Sequence, residues 1–158
     1  MVSKQLIVLR GIPGSGKSTL ADELVNEIFI LHSYCWLSTD DLFYVNGKYT
    51  FDKDKLHLFH QTNIARCDLA MQAGIEYIFI DNTNITFKEM EPYIKLAIKY
   101  GYSVKLEESN TPWKFDVEEC FKRNEHNVPK ETIQKMVDRW ESMGECLQKI
   151  SSLEEAKN

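Results

Sequence analysis

Gly11-Ile12-Pro13-Gly14-Ser15-Gly16-Lys17-Ser18 decides the fold of this chain. The stretch satisfies every fixed position of the phosphate-binding P-loop, G-x-x-x-x-G-K-[ST]. Lys4-Gln5-Leu6-Ile7-Val8-Leu9-Arg10 precedes it as an apolar run suited to a buried strand, and Thr19-Leu20-Ala21-Asp22-Glu23-Leu24-Val25 follows with apolar residues at helical spacing. Strand, glycine-rich loop and helix thus stand in the order that a phosphate cage requires. Glycines let the backbone approach a polyanion with no Cβ in the way. The N–H groups of the loop and the positive end of the following helix then face that anion. The expected nucleotide-binding set runs from Gly11, Ile12, Pro13 and Gly14 through Ser15, Gly16, Lys17, Ser18 and Thr19. Lys17 supplies a mobile positive charge for the β- and γ-phosphates, and the Ser18 hydroxyl is a ligand for Mg²⁺.

The chain has 158 residues, enough for one domain with a full core, and 43% hydrophobic residues, which suits a globular protein. A net charge of −5 argues against wrapping a long duplex by electrostatics, though not against local contacts with a nucleic-acid end. The first apolar run is short and leads straight into the P-loop, so no secretory signal is read there. Nor is a bilayer-spanning segment legible: Val25 to Leu37 is too short and carries Asn26, Glu27 and His32. A cytoplasmic or nuclear address is expected. Cys35, Cys67, Cys120 and Cys146 show no metal-ligand spacing and read as reduced core thiols. No structural metal is expected; His57 and His60 share a helix face without a third ligand.

Beyond the P-loop, strands and helices alternate. Strands are expected at Gln5–Leu9, Cys35–Ser38, Tyr77–Asp81 and Ser103–Glu107. Helices are expected at Lys17–Ile30, Lys55–Ala73, Phe87–Tyr100, Val117–Glu125 and Lys130–Leu147, with Ser151–Asn158 as a polar, frayed tail after a single P-loop domain over residues 1–150. This alternation implies an α/β fold, a P-loop NTPase three-layer sandwich whose parallel sheet is covered by helices, with a helical lid. In such sheets ligands bind at the carboxyl edge of the strands. The P-loop, Ser38-Thr39-Asp40-Asp41 and Asp81-Asn82-Thr83-Asn84 should therefore converge.

Two acids at strand ends suit phosphoryl transfer. A carboxylate that accepts a proton from the acceptor hydroxyl would orient its attack, and Asp40 is the candidate for that base. Asp41 beside it is a candidate substrate contact. The alternative is that Ser38, Thr39 or Asp40 caps a turn. Tyr77-Ile78-Phe79-Ile80-Asp81 has the form of a strand ending in an Mg²⁺-holding acid, or else a buried strand with a capping acid. Asn82 and Asn84 suit neutral substrate contacts, or simply turn formation. Transferred charge also needs a cation above it. Of the four arginines, Arg123 lies in a segment able to fold over the nucleotide; Lys114 and Lys122 are weaker candidates. A solvated helix face is the alternative for Arg123. Tyr44-Val45-Asn46-Gly47-Lys48-Tyr49-Thr50-Phe51 reads as a hairpin about an Asn-Gly turn. Its aromatic residues either pack the hairpin onto its own domain, the favoured reading, or stack on an acceptor base.

These motifs together resemble the P-loop polynucleotide 5′-hydroxyl kinase group over Leu6 to about Trp140. The resemblance is greatest to the kinase-like domain of the ubiquitin-ligase-binding (Nedd-binding) proteins. It is carried by Leu9-Arg10-Gly11 through Ser18, Ser38-Thr39-Asp40-Asp41, Phe43-Tyr44, Asn46-Gly47, Tyr49, Ile80-Asp81-Asn82-Thr83-Asn84, Trp113-Lys114-Phe115 and Arg123-Asn124. It implies transfer of the ATP γ-phosphate to a 5′-hydroxyl end of RNA or DNA, with ATP or another nucleoside triphosphate and Mg²⁺ as cofactors. It further implies Asp40 as general base, Lys17 and Ser18 on the phosphates and metal, and Arg123 as lid arginine. Two positions depart from the bacteriophage-type pattern. Phe43 stands where those kinases carry an arginine for the acceptor phosphate, and Asn82 stands where they carry an acid. A kinase of small molecules or nucleosides, and a nucleotide-binding module without kinase activity, remain alternative readings.

Overall fold

The computed structural model describes residues 3–157. Four parallel strands form the main sheet: β1 (Gln5–Arg10), β2 (Tyr34–Leu37), β5 (Tyr77–Asp81) and β6 (Ser103–Glu108), in the order β2-β5-β1-β6. The small antiparallel pair β3 (Tyr44–Val45) and β4 (Lys48–Tyr49) is the expected hairpin. Asn46 and Gly47 at its tip have φ of 52° and 78°, the positive pair that an Asn-Gly turn supplies at low cost.

Alternation along the strands splits the core into two faces. Leu6, Val8, Ile78 and Ile80 point to one side. There they bury against Cys67 and Met71 of α2 (Leu56–Gln72), Met90, Tyr93, Ile94 and Ala97 of α3 (Phe87–Tyr100), and Cys146 and Ile150 of α6 (Met143–Lys157). Ile7, Leu9 and Phe79 point to the other side and meet Ala21 and Val25 of α1 (Lys17–Ile28). Helices on both faces of a parallel sheet make the three-layer α/β arrangement that the alternation implies. A third cluster, Ile12, Ile85, Cys120 and Ile133, seats α4 (Val117–Arg123) and α5 (Lys130–Asp138) against the P-loop as the helical lid.

The carboxyl-terminal region departs from the sequence reading. One helix over Lys130–Leu147 becomes two, because Trp140 and Glu141 turn inward: the Glu141 N–H donates to the Ile85 carbonyl at 3.1 Å, and Arg10 lies 4.3 Å over the Trp140 ring. The residues expected as a polar tail continue α6 to Lys157, with Ile150 buried and Leu153 packed against the core; Asn158 lies outside the described residues. Spacing of three and four between Cys146, Ile150 and Leu153 gives that helix an apolar stripe. No helix among the described residues is long and apolar enough to cross a membrane.

Candidate active site

β1 delivers the P-loop to the carboxyl edge of the sheet. Gly16 precedes α1 with φ 100°, a left-handed conformation that a side chain would strain. The loop is held from behind by the segment after β6. Ser109 Oγ and Thr111 Oγ1 both donate to the Ser15 carbonyl at 2.7 Å, and the Trp113 indole N–H donates to the Gly14 carbonyl at 3.1 Å. Across a planar trans peptide the Gly16 N–H must then point away from those donors. The first N–H groups of α1 have no intrahelical acceptor, so the loop ends in a set of free donors. Gly14 is crowded: a Cβ there would lie 2.1 Å from the Cys120 carbonyl. Ser15 Oγ is buried and has no hydrogen-bond partner among the described residues. Ser18 and Thr19 are exposed at the start of α1, while Ile12 turns away into the lid core.

Lys17 folds back across this donor set. Its Nζ lies 2.5 Å from Asp81 Oδ1, and the Trp36 indole N–H donates to Asp81 Oδ2 at 2.8 Å. The acid at the end of β5 and the P-loop lysine therefore meet, as expected of strands that release their ends on one edge. Free donors, a lysine within reach, an exposed Ser18 hydroxyl and a carboxylate form the donor chemistry that a triphosphate with Mg²⁺ calls for.

The strand β2 ends at a 3₁₀ turn, Thr39–Phe43, opened by Ser38, whose Oγ accepts the Asp40 N–H at 3.2 Å. Capping therefore falls to Ser38, and the Asp40 carboxylate is left for other partners. Tyr49 OH donates to Asp40 Oδ1 at 3.2 Å, and His126 Nε2 stands 3.8 Å from Asp40 Oδ2. Partial loss of hydration holds the Asp41 carboxyl above its ordinary range; the Asp81 and Asp40 charges add to this and Arg66 opposes it. Asp40, Asp41 and Asp81 thus share one field, as the converging strand ends require.

The two asparagines expected at the substrate make hydrogen bonds within the site's loops. Asn84 is 1% exposed, adopts φ 48° and donates to the Leu9 carbonyl at 2.7 Å. It ties the loop after β5 to β1, and Gly11 N–H donates to the Thr83 carbonyl beside it at 3.0 Å. Asn82 uses Oδ1 to accept the Thr39 N–H at 2.9 Å, so it fixes the Asp40 turn against β5. Both asparagines hold the site's loops together; Asn84 is buried, while half-buried Asn82 stands at the Asp40 turn. Arg123 contacts Glu119, Nε to Oε1 at 2.9 Å, and lies 3.8 Å over the Trp113 ring. Its link to the P-loop therefore runs through Trp113. Phe43 is 1% exposed and packs among the rings of Tyr49, Phe51 and Phe59. The position that carries an acceptor arginine in the bacteriophage-type pattern is here a core aromatic.

Sequence reasoning passed over Trp36, Tyr49 and His126 as site residues. Trp36 alternates with Cys35 and Leu37 on a strand and gave only a packing signal. Tyr49 belongs to the hairpin pattern, and a single His126 after the lid helix carries no local signal of a site.

The sequence profile described as "AAA domain" matches residues 6–143. The chain belongs to that family. Human NEDD4-binding protein 2 is 44% identical over 136 residues, which cover 86% of this chain and 8% of that protein. The 2′,3′-cyclic-nucleotide 3′-phosphodiesterase of Rattus norvegicus is 26% identical over 133 residues, 84% of this chain and 30% of that protein. The chain therefore spans less than a third of either curated relative. Among solved structures, a chain in the Pnkp1/Rnl/Hen1 RNA repair complex superposes with a TM-score of 0.66 at 20% identity, over 94% of this chain and 47% of that one. The Mycobacterium tuberculosis APS kinase CysC, in complex with AMPPNP and APS, superposes with a TM-score of 0.53 at 16% identity, over 78% and 69%. At these identities the structural likeness shows the fold, a P-loop kinase-like α/β domain.

Proposed function

We propose that this chain is an ATP-dependent phosphotransferase acting on the 5′-hydroxyl end of RNA or DNA. The observation that carries the proposal is the meeting of three strand ends: the P-loop with Lys17 on Asp81, and Asp40 on the adjoining turn tied to the same loop through Asn82. In this reading Lys17 exchanges Asp81 for the β- and γ-phosphate oxygens, and the Ser18 hydroxyl and Asp81 are the residues that would hold Mg²⁺. The metal supplies neutralisation of charge on the phosphates. Asp40 takes the proton from the acceptor hydroxyl as its oxygen bonds to the γ-phosphorus. The bond from that phosphorus to the β–γ bridging oxygen breaks, and ADP leaves. Tyr49, already donating to Oδ1, orients the carboxylate so that Oδ2 meets the acceptor. The resemblance to polynucleotide kinases and the solved RNA-repair fold support the choice of acceptor.

Arg123 takes the role of cation over the transferred group by leaving Glu119. That exposed pair, four residues apart on one helix, holds it by well under about 1 kcal/mol.

Incubation with Mg²⁺ and γ-labelled ATP beside 5′-hydroxyl RNA, 5′-hydroxyl DNA and a panel of nucleosides tests the reading. Label on oligonucleotide ends that vanishes with Asp40→Ala is the expected result. Label on nucleosides alone assigns a small-molecule kinase, and tight ATP binding with no transfer assigns a binding module; either overturns the proposal. Arg123→Ala should slow transfer by about 10³-fold. An unchanged rate would leave Arg123 with a packing role on Trp113.

A further inference from the structure

His126 packs, tilted, on Tyr49. Their ring centroids are 4.1 Å apart at an interplanar angle of 33°, and the Tyr44 ring stands edge-on to the imidazole at 6.5 Å. The same imidazole turns its Nε2 edge to Asp40 Oδ2, the carboxylate oxygen that Tyr49 does not use. A tilted ring therefore rests on the tyrosine face while a polar edge addresses the carboxylate.

The ring reaches this place from far along the chain. Tyr49 belongs to the hairpin, and His126 to the short connection between α4 and α5. That connection is clipped at its ends: Asn124 Oδ1 accepts the Val128 N–H at 2.8 Å, Val128 packs on the lid core, and the Asn124 backbone N sits against Gly14, with His126 at the middle of the span. His126 itself has no other polar partner among the described residues, and its 3.8 Å approach to Asp40 is longer than a hydrogen bond. Tyr44 and Val45 beside it are exposed. The contact of His126 with the hairpin is thus mainly a packing of one loop ring on one hairpin ring, with no hydrogen bond of the imidazole among the described residues.

We infer that the Tyr49 face is the seat for the terminal base of the acceptor, and that His126 occupies this seat until the acceptor displaces it. A nucleoside end that places its hydroxyl at Asp40 Oδ2 carries its base on the side where the imidazole now lies. Recognition by a ring fits the loss of a phosphate contact at Phe43, which is buried beneath the same hairpin. The inference rests on Asp40 as the acceptor-facing acid, and it names what that acceptor must carry: an aromatic base on its first residue.

The test is equilibrium binding in the presence of a non-hydrolysable ATP analogue and Mg²⁺, so no turnover is needed. The probes are a 5′-hydroxyl trinucleotide labelled at its 3′ end, in RNA and DNA forms, and the same molecules with an abasic 5′ residue. Base stacking is sequence-tolerant and gives about tenfold in affinity or more. The base-bearing probes should bind the unmodified chain about tenfold more tightly than the abasic ones. Tyr49→Leu should abolish that difference, and Tyr49→Phe, which keeps the ring and loses the hydroxyl, should retain it. His126→Ala should tighten the base-bearing probes by about threefold or more and leave the abasic ones unchanged, because it removes a competitor. Equal affinity for base-bearing and abasic probes overturns the inference without reference to any variant. So does a His126→Ala variant that weakens the base-bearing probes. Base-dependent binding without transfer of label from ATP would uphold the seat and remove the phosphotransferase reading, so the two fail separately.

Discussion

Lys17 Nζ lies 2.5 Å from Asp81 Oδ1, so the P-loop lysine and the acid that ends β5 form one ion pair at the carboxyl edge of the sheet. The pairing satisfies both charges where each is largely shielded from water. It also means that phosphate must compete with Asp81 for the lysine. Asp81→Asn should therefore strengthen binding of nucleotide without Mg²⁺ by a few-fold, while raising the Mg²⁺ concentration needed for half-maximal transfer. Lys17→Met should lower turnover by about 10²-fold or more, as loss of one charge-stabilising donor does in other transfer sites. Nucleotide titrations with and without Mg²⁺ check both. Equal Mg²⁺ requirements in Asp81→Asn and the parent chain would separate Asp81 from the metal.

Arg10 is a second buried cation, with a structural task. Its side chain is fully buried; it donates to the carbonyls of Asn84, Ile85 and Glu141 at 2.8, 2.9 and 2.7 Å and pairs with Glu108 at 3.1 Å. Arg10→Met should destabilise the fold by about 3 kcal/mol, since it removes a buried charge from Glu108, which keeps only Lys114 at 3.5 Å, and strips donors from the Asn84 and Glu141 carbonyls. Urea unfolding measures this. Adding Glu108→Gln should cost less than the sum of the two single changes.

Gly14 and Gly101 separate crowding from backbone strain. Both have positive φ, 82° and 76°, but a Cβ at Gly14 would meet the Cys120 carbonyl at 2.1 Å, whereas nothing lies within 4 Å at Gly101. Gly101→Ala should cost about 1 kcal/mol of left-handed strain. Gly14→Ala should cost clearly more in urea and weaken nucleotide binding, because α4 must lift from the P-loop.

Alkali should unfold the chain from pH about 9 upward. Burial pushes the thiols of Cys35 and Cys120 up to about 11 and that of Cys67 up to about 12, each from an ordinary value of 9.0. Above pH 9 the unfolded chain sheds these protons while the folded chain keeps them, so the unfolded state binds fewer and stability falls as pH rises. The contribution is complete below pH 9 and is lost by about pH 12. Urea midpoints across this range should slope downward, and Cys67→Ala should flatten the slope. The same burial predicts that the native thiols resist alkylation at pH 8.

Much of the fold is legible in local pattern. β5 and α3 fall at the residues the periodicity gives, and the Asn-Gly hairpin pairs as its turn chemistry requires. The boundary between α5 and α6 also had a signal that was passed over. Ser142 caps α6, its Oγ accepting the Glu145 N–H at 3.2 Å and donating to Glu145 Oε1 at 3.1 Å. Asn82 and Asn84 show the opposite case. Their residue type suited a substrate or a turn equally, and only their partners, Thr39 and Leu9, made them struts.

The sequence by itself determined the P-loop, the layered α/β class and the edge of the sheet where chemistry collects. Each follows from dihedral freedom, charge and hydrophobic spacing within a few neighbouring residues. Tertiary structure alone decided that Arg10 spans to Glu141, that Lys17 rests on Asp81 and that His126 covers Tyr49. Those pairings join residues far apart in the chain, and no local periodicity encodes which long side chain will find which distant carbonyl, carboxylate or ring.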